Sequence, residues 1–137
     1  MSDAELTNYT IRASRVSPKR TSIDTGDSEF IVGKDVNPVE YFLGAILACL
    51  NSTGTMVARD MDIEIQSLEA VIEGGVNYAT YQGKDVDDRA GLQDVEVKLS
   101  VETQDESDLD AWLAAVKERC PVTDNVENET ALTVTLE

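Results

Sequence analysis

The chain has 137 residues, 42% hydrophobic and 28% charged. That suits one domain, residues 1–137, with an ordinary core and about two-thirds of the unfolded surface buried on folding. Eleven basic residues face 27 acidic ones, for a net charge of −16. Nucleic acid is excluded as a partner, because phosphate binding needs clustered Lys and Arg, and anionic membrane surfaces are disfavoured for the same reason.

The acids are scattered over every segment, so the charge is a property of the whole surface. Self-repulsion on this scale destabilises a compact fold unless salt screens it, and at molar salt the Debye length is about 3 Å. With five lysines and no histidine, the composition is the one expected of a halophile's cytoplasm. Met1 to Thr10 is polar and shows no secretory pattern, so a cytoplasmic chain without a leader is expected.

Residues 8–16 alternate loosely and end at Ser17-Pro18, which predicts a strand and then a turn carrying Lys19 and Arg20. Thr21 to Asp24 and Glu29 to Val32, separated by the turn Thr25-Gly26-Asp27-Ser28, predict two more strands of an antiparallel meander. The central stretch follows, a helix from about Pro38 to Arg59 or Asp60. Asn37 suits its cap, Pro38 its first position, and Glu40 the third residue of a capping box. Val39, Tyr41, Phe42, Leu43, Ala45, Ile46, Leu47, Ala48 and Leu50 then leave no solvent face, so the helix is expected to be buried on every side. Its apolar part stops after about a dozen residues at Asn51-Ser52-Thr53-Gly54-Thr55, too short for a bilayer. A core helix is therefore expected, weakened locally at Gly54.

Ile63 to Ile72 reads as a strand ended by Glu73-Gly74-Gly75, and residues 76–92 as a loop. Asp94 to Thr103 alternates at period two, with Val95, Val97, Leu99 and Val101 expected to meet the core. Ser107-Asp108-Leu109-Asp110 starts a second helix with an apolar stripe of Leu109, Trp112, Leu113 and Val116. It ends in Lys117-Glu118-Arg119, cations suited to its negative end, followed by Cys120-Pro121. Thr130 to Leu136 alternates again and predicts a closing strand.

Strands arranged around two helices predict an α+β fold with mostly antiparallel sheet. One chain offers too few strands to wrap the central helix. An obligate homodimer, with two such helices packed between two sheets, is the expected solution.

Without histidine, Ser-His-Asp, Cys-His and histidine-metal sites are excluded. Two distant cysteines cannot form a Cys₄ zinc site, and there is no CxxC, Walker A loop or GxGxxG. Neither metal nor bound cofactor is expected, and the remaining chemistry is that of thiols. Cys120, at a helix C-terminus, faces the negative end of a dipole that opposes its thiolate. Burial in the central helix likewise disfavours ionisation of Cys49. Both also read as small buried hydrophobes.

The run Asn37-Pro38-Val39-Glu40-Tyr41 with Ala48-Cys49-Leu50, paired with Cys120-Pro121-Val122 after the second helix, resembles the OsmC/Ohr family. These are the osmotically inducible protein C and organic hydroperoxide resistance proteins. Asp88-Arg89-Ala90-Gly91 before the alternating strand is similar to a loop of that family. The resemblance implies an intertwined OsmC-like dimer and a peroxidase in which Cys49 attacks an organic hydroperoxide and Cys120 resolves the sulfenic acid to a disulfide. An external dithiol reductant would then reopen that disulfide.

The resemblance also calls for an arginine favouring the thiolate, matched by Arg20 with Arg15 as the alternative, and for a helix-start glutamate, matched by Glu40. A guanidinium suits the task because it stays charged when partly buried. Arg20 reads equally as a surface cation and Glu40 as a capping-box residue. Nine helical steps put Glu40 about 13.5 Å along the axis from Cys49 and on the opposite face. Their meeting would require the partner subunit's helix. Tyr41, Phe42, Leu47 and Leu50 can line an alkyl pocket or simply be core. A different class of reading is an OsmC-like dimeric binding or structural protein with inert cysteines.

Overall fold

The computed structural model describes residues 5–105 and 107–137. The chain is α+β and divides into two compact units, an N-terminal one up to Phe42 and a C-terminal one, Leu43–Glu137.

The N-terminal unit is the expected meander of β1 (Arg12–Ser17), β2 (Arg20–Asp24) and β3 (Glu29–Val32), antiparallel in the order β1-β2-β3. Gly33 closes it with φ of +102°, and a Cβ there would collide with the Lys19 carbonyl oxygen. Only glycine fits that approach.

Helix α1 runs Pro38–Asp60 and begins with the capping box read from the sequence. The Glu40 N–H donates to Asn37 Oδ1 and the Asn37 N–H to Glu40 Oε1, both at 2.9 Å. The helix has 23 residues and an 18-residue window of mean hydropathy 1.4, so by length and composition it is long and apolar enough to cross a membrane, which corrects the expectation that it is too short. The polar stretch after Leu50 continues the helix to Asp60, as the sequence predicts. Ile46, Leu50, Val57 and Ala58 nevertheless enter the protein core, which marks α1 as a core helix. Burial on every side is not found: Tyr41, Phe42 and Met56 stay exposed, because this chain covers only part of the helix.

The C-terminal unit pairs β4 (Ile65–Val76) with β5 (Leu92–Thr103) in an antiparallel hairpin. Leu68 and Ile72 of β4 and Val97, Leu99 and Val101 of β5 turn one face of it onto the core; of the four β5 residues expected there, Val95 is not among those packed on the core cluster. β4 does not stop at Gly74-Gly75. A Cβ on Gly74 would come within 2.9 Å of the Asp94 carbonyl oxygen, so the glycine lets β5 pair closely there. The loop between the strands holds a short helix α2 (Tyr78–Tyr81), capped by Asn77.

Helix α3 (Leu109–Arg119) starts at Asp108, whose carboxylate accepts from the Ala111 N–H at 3.0 Å. Its Trp112 is 2% exposed and donates Nε1–H to the Gly54 carbonyl at 2.9 Å. A Cβ on Gly54 would stand 2.7 Å from Trp112 Cζ2. The glycine that costs α1 some intrinsic stability is therefore what admits the indole.

After Cys120 the chain enters α4 (Pro121–Glu127), a helix the sequence does not announce. The closing strand is not formed. Among the described residues, 131–137 have no strand partner, and Leu132, Val134 and Leu136 are 86%, 85% and 101% exposed.

Candidate active site

Both cysteines are free thiols and both belong to the C-terminal unit. Cys49 lies half-buried on α1, packed against the cluster that contains Cys120. One turn later on the same face is Thr53, whose Oγ1 stands 3.8 Å from Cys49 Sγ in a hydrogen bond that either group can donate. Thr53 is 7% exposed and, among the described residues, is the polar member of the buried set.

Cys120 joins two helices. Its N–H closes α3 by donating to the Val116 carbonyl at 3.0 Å, and its own carbonyl accepts the first bond of α4 from the Asp124 N–H at 3.1 Å. Its φ and ψ of −76° and 113° turn the chain between the two axes, with Pro121 suited to start α4. The residue is 1% exposed.

Burial pushes the Cys120 thiol up, but the net direction is downward. The Thr123 hydroxyl, the Thr123 and Val122 amides and the Cys49 thiol all favour the thiolate. The Thr123 hydroxyl points at 3.3 Å to the Cys120 carbonyl and must rotate to serve the sulfur instead. This corrects the expectation for Cys120. The C-terminus of α3 is visible in the sequence, whereas the groups that Val122 and Thr123 bring to the sulfur are not.

The structure thus brings Cys49 and Cys120 together. Arg20 is the exposed first residue of β2, across from Ser17, and Arg15 lies on β1 across from Thr21. Glu40 is engaged in the capping box. All three belong to the N-terminal unit. Among the described residues no cluster of His, Cys, Asp or Glu suits a metal ion.

Thr53 and Thr123 are the residues that sequence reasoning missed. The signal for each was a hydroxyl at a fixed helical offset, four residues after one cysteine and three after the other.

A cavity of about 490 Å³ is lined by apolar side chains that include Ile46, Leu50 and Val126, by the charged Glu96, Lys117 and Glu127, and by Thr123; neither cysteine forms part of its wall. Its volume is that of a small-molecule site. Of the four residues expected to line an alkyl pocket, Leu50 lines this cavity and Leu47 does not, while Tyr41 and Phe42 lie in the N-terminal unit.

The OsmC-like protein family matches residues 32–135, and the chain belongs to that family. Among solved structures it is similar to an OsmC-like protein from Mycoplasma pneumoniae, with TM-score 0.77 and 16% identity over 90% of this chain and 89% of that one. An organic hydroperoxide resistance protein OsmC from Legionella pneumophila gives TM-score 0.62 at 17% identity, covering 90% and 91%. The organic hydroperoxide resistance protein OhrB of Bacillus subtilis gives 0.58 at 19%, covering 91% and 94%. At such identities these likenesses establish the OsmC-like fold. Among curated proteins no match was found.

Proposed function

We propose that this protein is a thiol peroxidase that reduces organic hydroperoxides to alcohols, a cytoplasmic homodimer in oxidative-stress defence that needs no metal or bound cofactor. The Cys49 thiolate attacks the terminal peroxide oxygen and the O–O bond breaks. The alkoxide takes up a proton and leaves as the alcohol, with Cys49 oxidised to a sulfenic acid. The Cys120 thiolate then attacks the Cys49 sulfur, hydroxide leaves and is protonated to water, and a disulfide forms. An external dithiol reduces that disulfide by two thiol exchanges and is itself oxidised.

The observation that carries this reading is the meeting of two cysteines, remote in sequence, at a point where Cys120 is surrounded by groups that favour its thiolate. The apolar part of the cavity wall, which continues to Thr123, supports an alkyl hydroperoxide as substrate. Arg20 as the assisting cation, with Glu40 as its carboxylate, is supported by the family resemblance alone. The homodimer is supported by the exposed apolar residues of α1 and of the C-terminal segment.

The second reading, a binding or structural protein with inert cysteines, draws on the near-complete burial of Cys120. One equivalent of tert-butyl hydroperoxide separates the two. The peroxidase loses two thiols in wild type and none in Cys49→Ser, and Cys120→Ser accumulates a dimedone-reactive sulfenic acid. Unchanged thiol counts in every form support the inert protein and overturn the peroxidase.

A further inference from the structure

A threonine in a core carries a hydroxyl that costs stability unless it is bonded, and valine would fill the same volume without that cost. Thr53 is 7% exposed, and its hydroxyl lies 3.8 Å from Cys49 Sγ. The geometry follows from the helix. Side chains lean toward the N-terminus, so a residue four positions after Cys49 sets its Oγ1 over that sulfur.

The hydroxyl has one hydrogen and two lone pairs. While Cys49 is a thiol, either group can donate. Once Cys49 loses its proton the sulfur can only accept, and Thr53 must be the donor. The bond then becomes charge-assisted, roughly twice as strong as the neutral one. Thr53 therefore binds the ionised sulfur better than the neutral sulfur, and that difference is what activates a nucleophile.

We propose that Thr53 is a further catalytic residue, a hydrogen-bond donor that holds the Cys49 sulfur as its thiolate. Its catalytic meaning rests on the peroxidase reading, whereas its effect on the sulfur does not. The competing arrangement is a hydroxyl bonded back to the carbonyl one turn earlier, a common fate of helical threonine.

The experiment uses the full chain carrying Cys120→Ser, so that Cys49 is the reporting thiol, and measures its alkylation by iodoacetamide from pH 6 to 9. Thr53→Val is expected to slow alkylation at pH 7 by about fivefold, while Thr53→Ser stays within about twofold of the parent. Thr53→Ala is a second hydroxyl-free form, and comparing it with Thr53→Ser isolates the hydroxyl should the valine variant not fold. Unchanged rates in the hydroxyl-free forms, or a serine variant as slow as they are, would overturn the proposal. Consumption of tert-butyl hydroperoxide is followed in the same variants with Cys120 present. Slowed alkylation with no peroxide consumption in any form leaves the Thr53 bond standing and removes the peroxidase reading. Peroxide consumption with alkylation rates indifferent to position 53 does the reverse.

Discussion

Two segments of this chain carry the same alternating pattern and meet opposite fates. In β5, Val97, Leu99 and Val101 pack on the core while Glu96, Lys98 and Ser100 face out. In residues 130–136, Leu132, Val134 and Leu136 alternate just as cleanly with threonines, yet all three are exposed and no strand forms. The difference lies in the partner. β5 has β4 to satisfy its backbone groups and a helical layer to bury its apolar face. The last segment has neither among the described residues. Alternation specifies which face is apolar, and an available edge decides whether the segment becomes a strand.

The largest effect is expected at the core that β5 packs on. Trp112→Ala removes an indole that is both buried and bonded to the Gly54 carbonyl, and should cost about 3–5 kcal/mol in chemical denaturation. Gly54→Ala forces a Cβ against the ring and should cost about 1–3 kcal/mol. A loss below about 0.5 kcal/mol in either would mean that α1 and α3 are not locked as described.

Matched truncations test the contrast between the two alternating segments. Leu99→Ala on the packed face should cost about 2–5 kcal/mol, whereas Leu132→Ala should cost under about 0.5 kcal/mol in unfolding of the monomer. Under the homodimer proposal a second copy covers the exposed segment. Leu132→Asp should then shift sedimentation toward monomer, and an unchanged sedimentation profile would leave the exposed segment outside the interface.

Charge gives a smaller and broader effect. At −16 the melting temperature should rise between low and molar potassium chloride, as salt screens repulsion among the acids. The Arg119–Asp60 pair at 2.9 Å is half-exposed and offsets little of that repulsion. A melting temperature that stays flat or falls would remove the halophile reading of the composition.

The smallest effect concerns pH. The Cys120 thiol is held below its ordinary value in the folded state, so above that folded midpoint the unfolded chain binds more protons. Stability of the reduced protein should therefore rise with pH from the folded midpoint up to about 8.5, the ordinary cysteine value, and be constant below it. Cys120→Ser should lack this slope in urea midpoints measured across the range. A slope of equal size in the variant would place its origin elsewhere.

Much of the fold is legible in the sequence because local signals and tertiary partners agree. The capping box at Asn37 and Glu40, the meander and the alternation of β5 all show this agreement. The features that escape the sequence share a cause. Pro121 reads as the end of one helix, yet it also starts the next, so α4 and the groups it brings to Cys120 stay hidden. Gly54 and Gly74 read as weak points, although each makes room for a close neighbour. The cysteine pair follows from resemblance. The threonines beside it do not, because a hydroxyl at a helical offset has no meaning until the sulfur beside it is in view.

The most direct test of the paired-thiol chemistry is a non-reducing peptide map of the wild-type protein after one equivalent of tert-butyl hydroperoxide. A single new linked peptide joining Cys49 to Cys120 within one chain is expected, with release of one equivalent of alcohol. Recovery of both cysteine peptides as free thiols, or of a link between two Cys49 residues, would refute that chemistry.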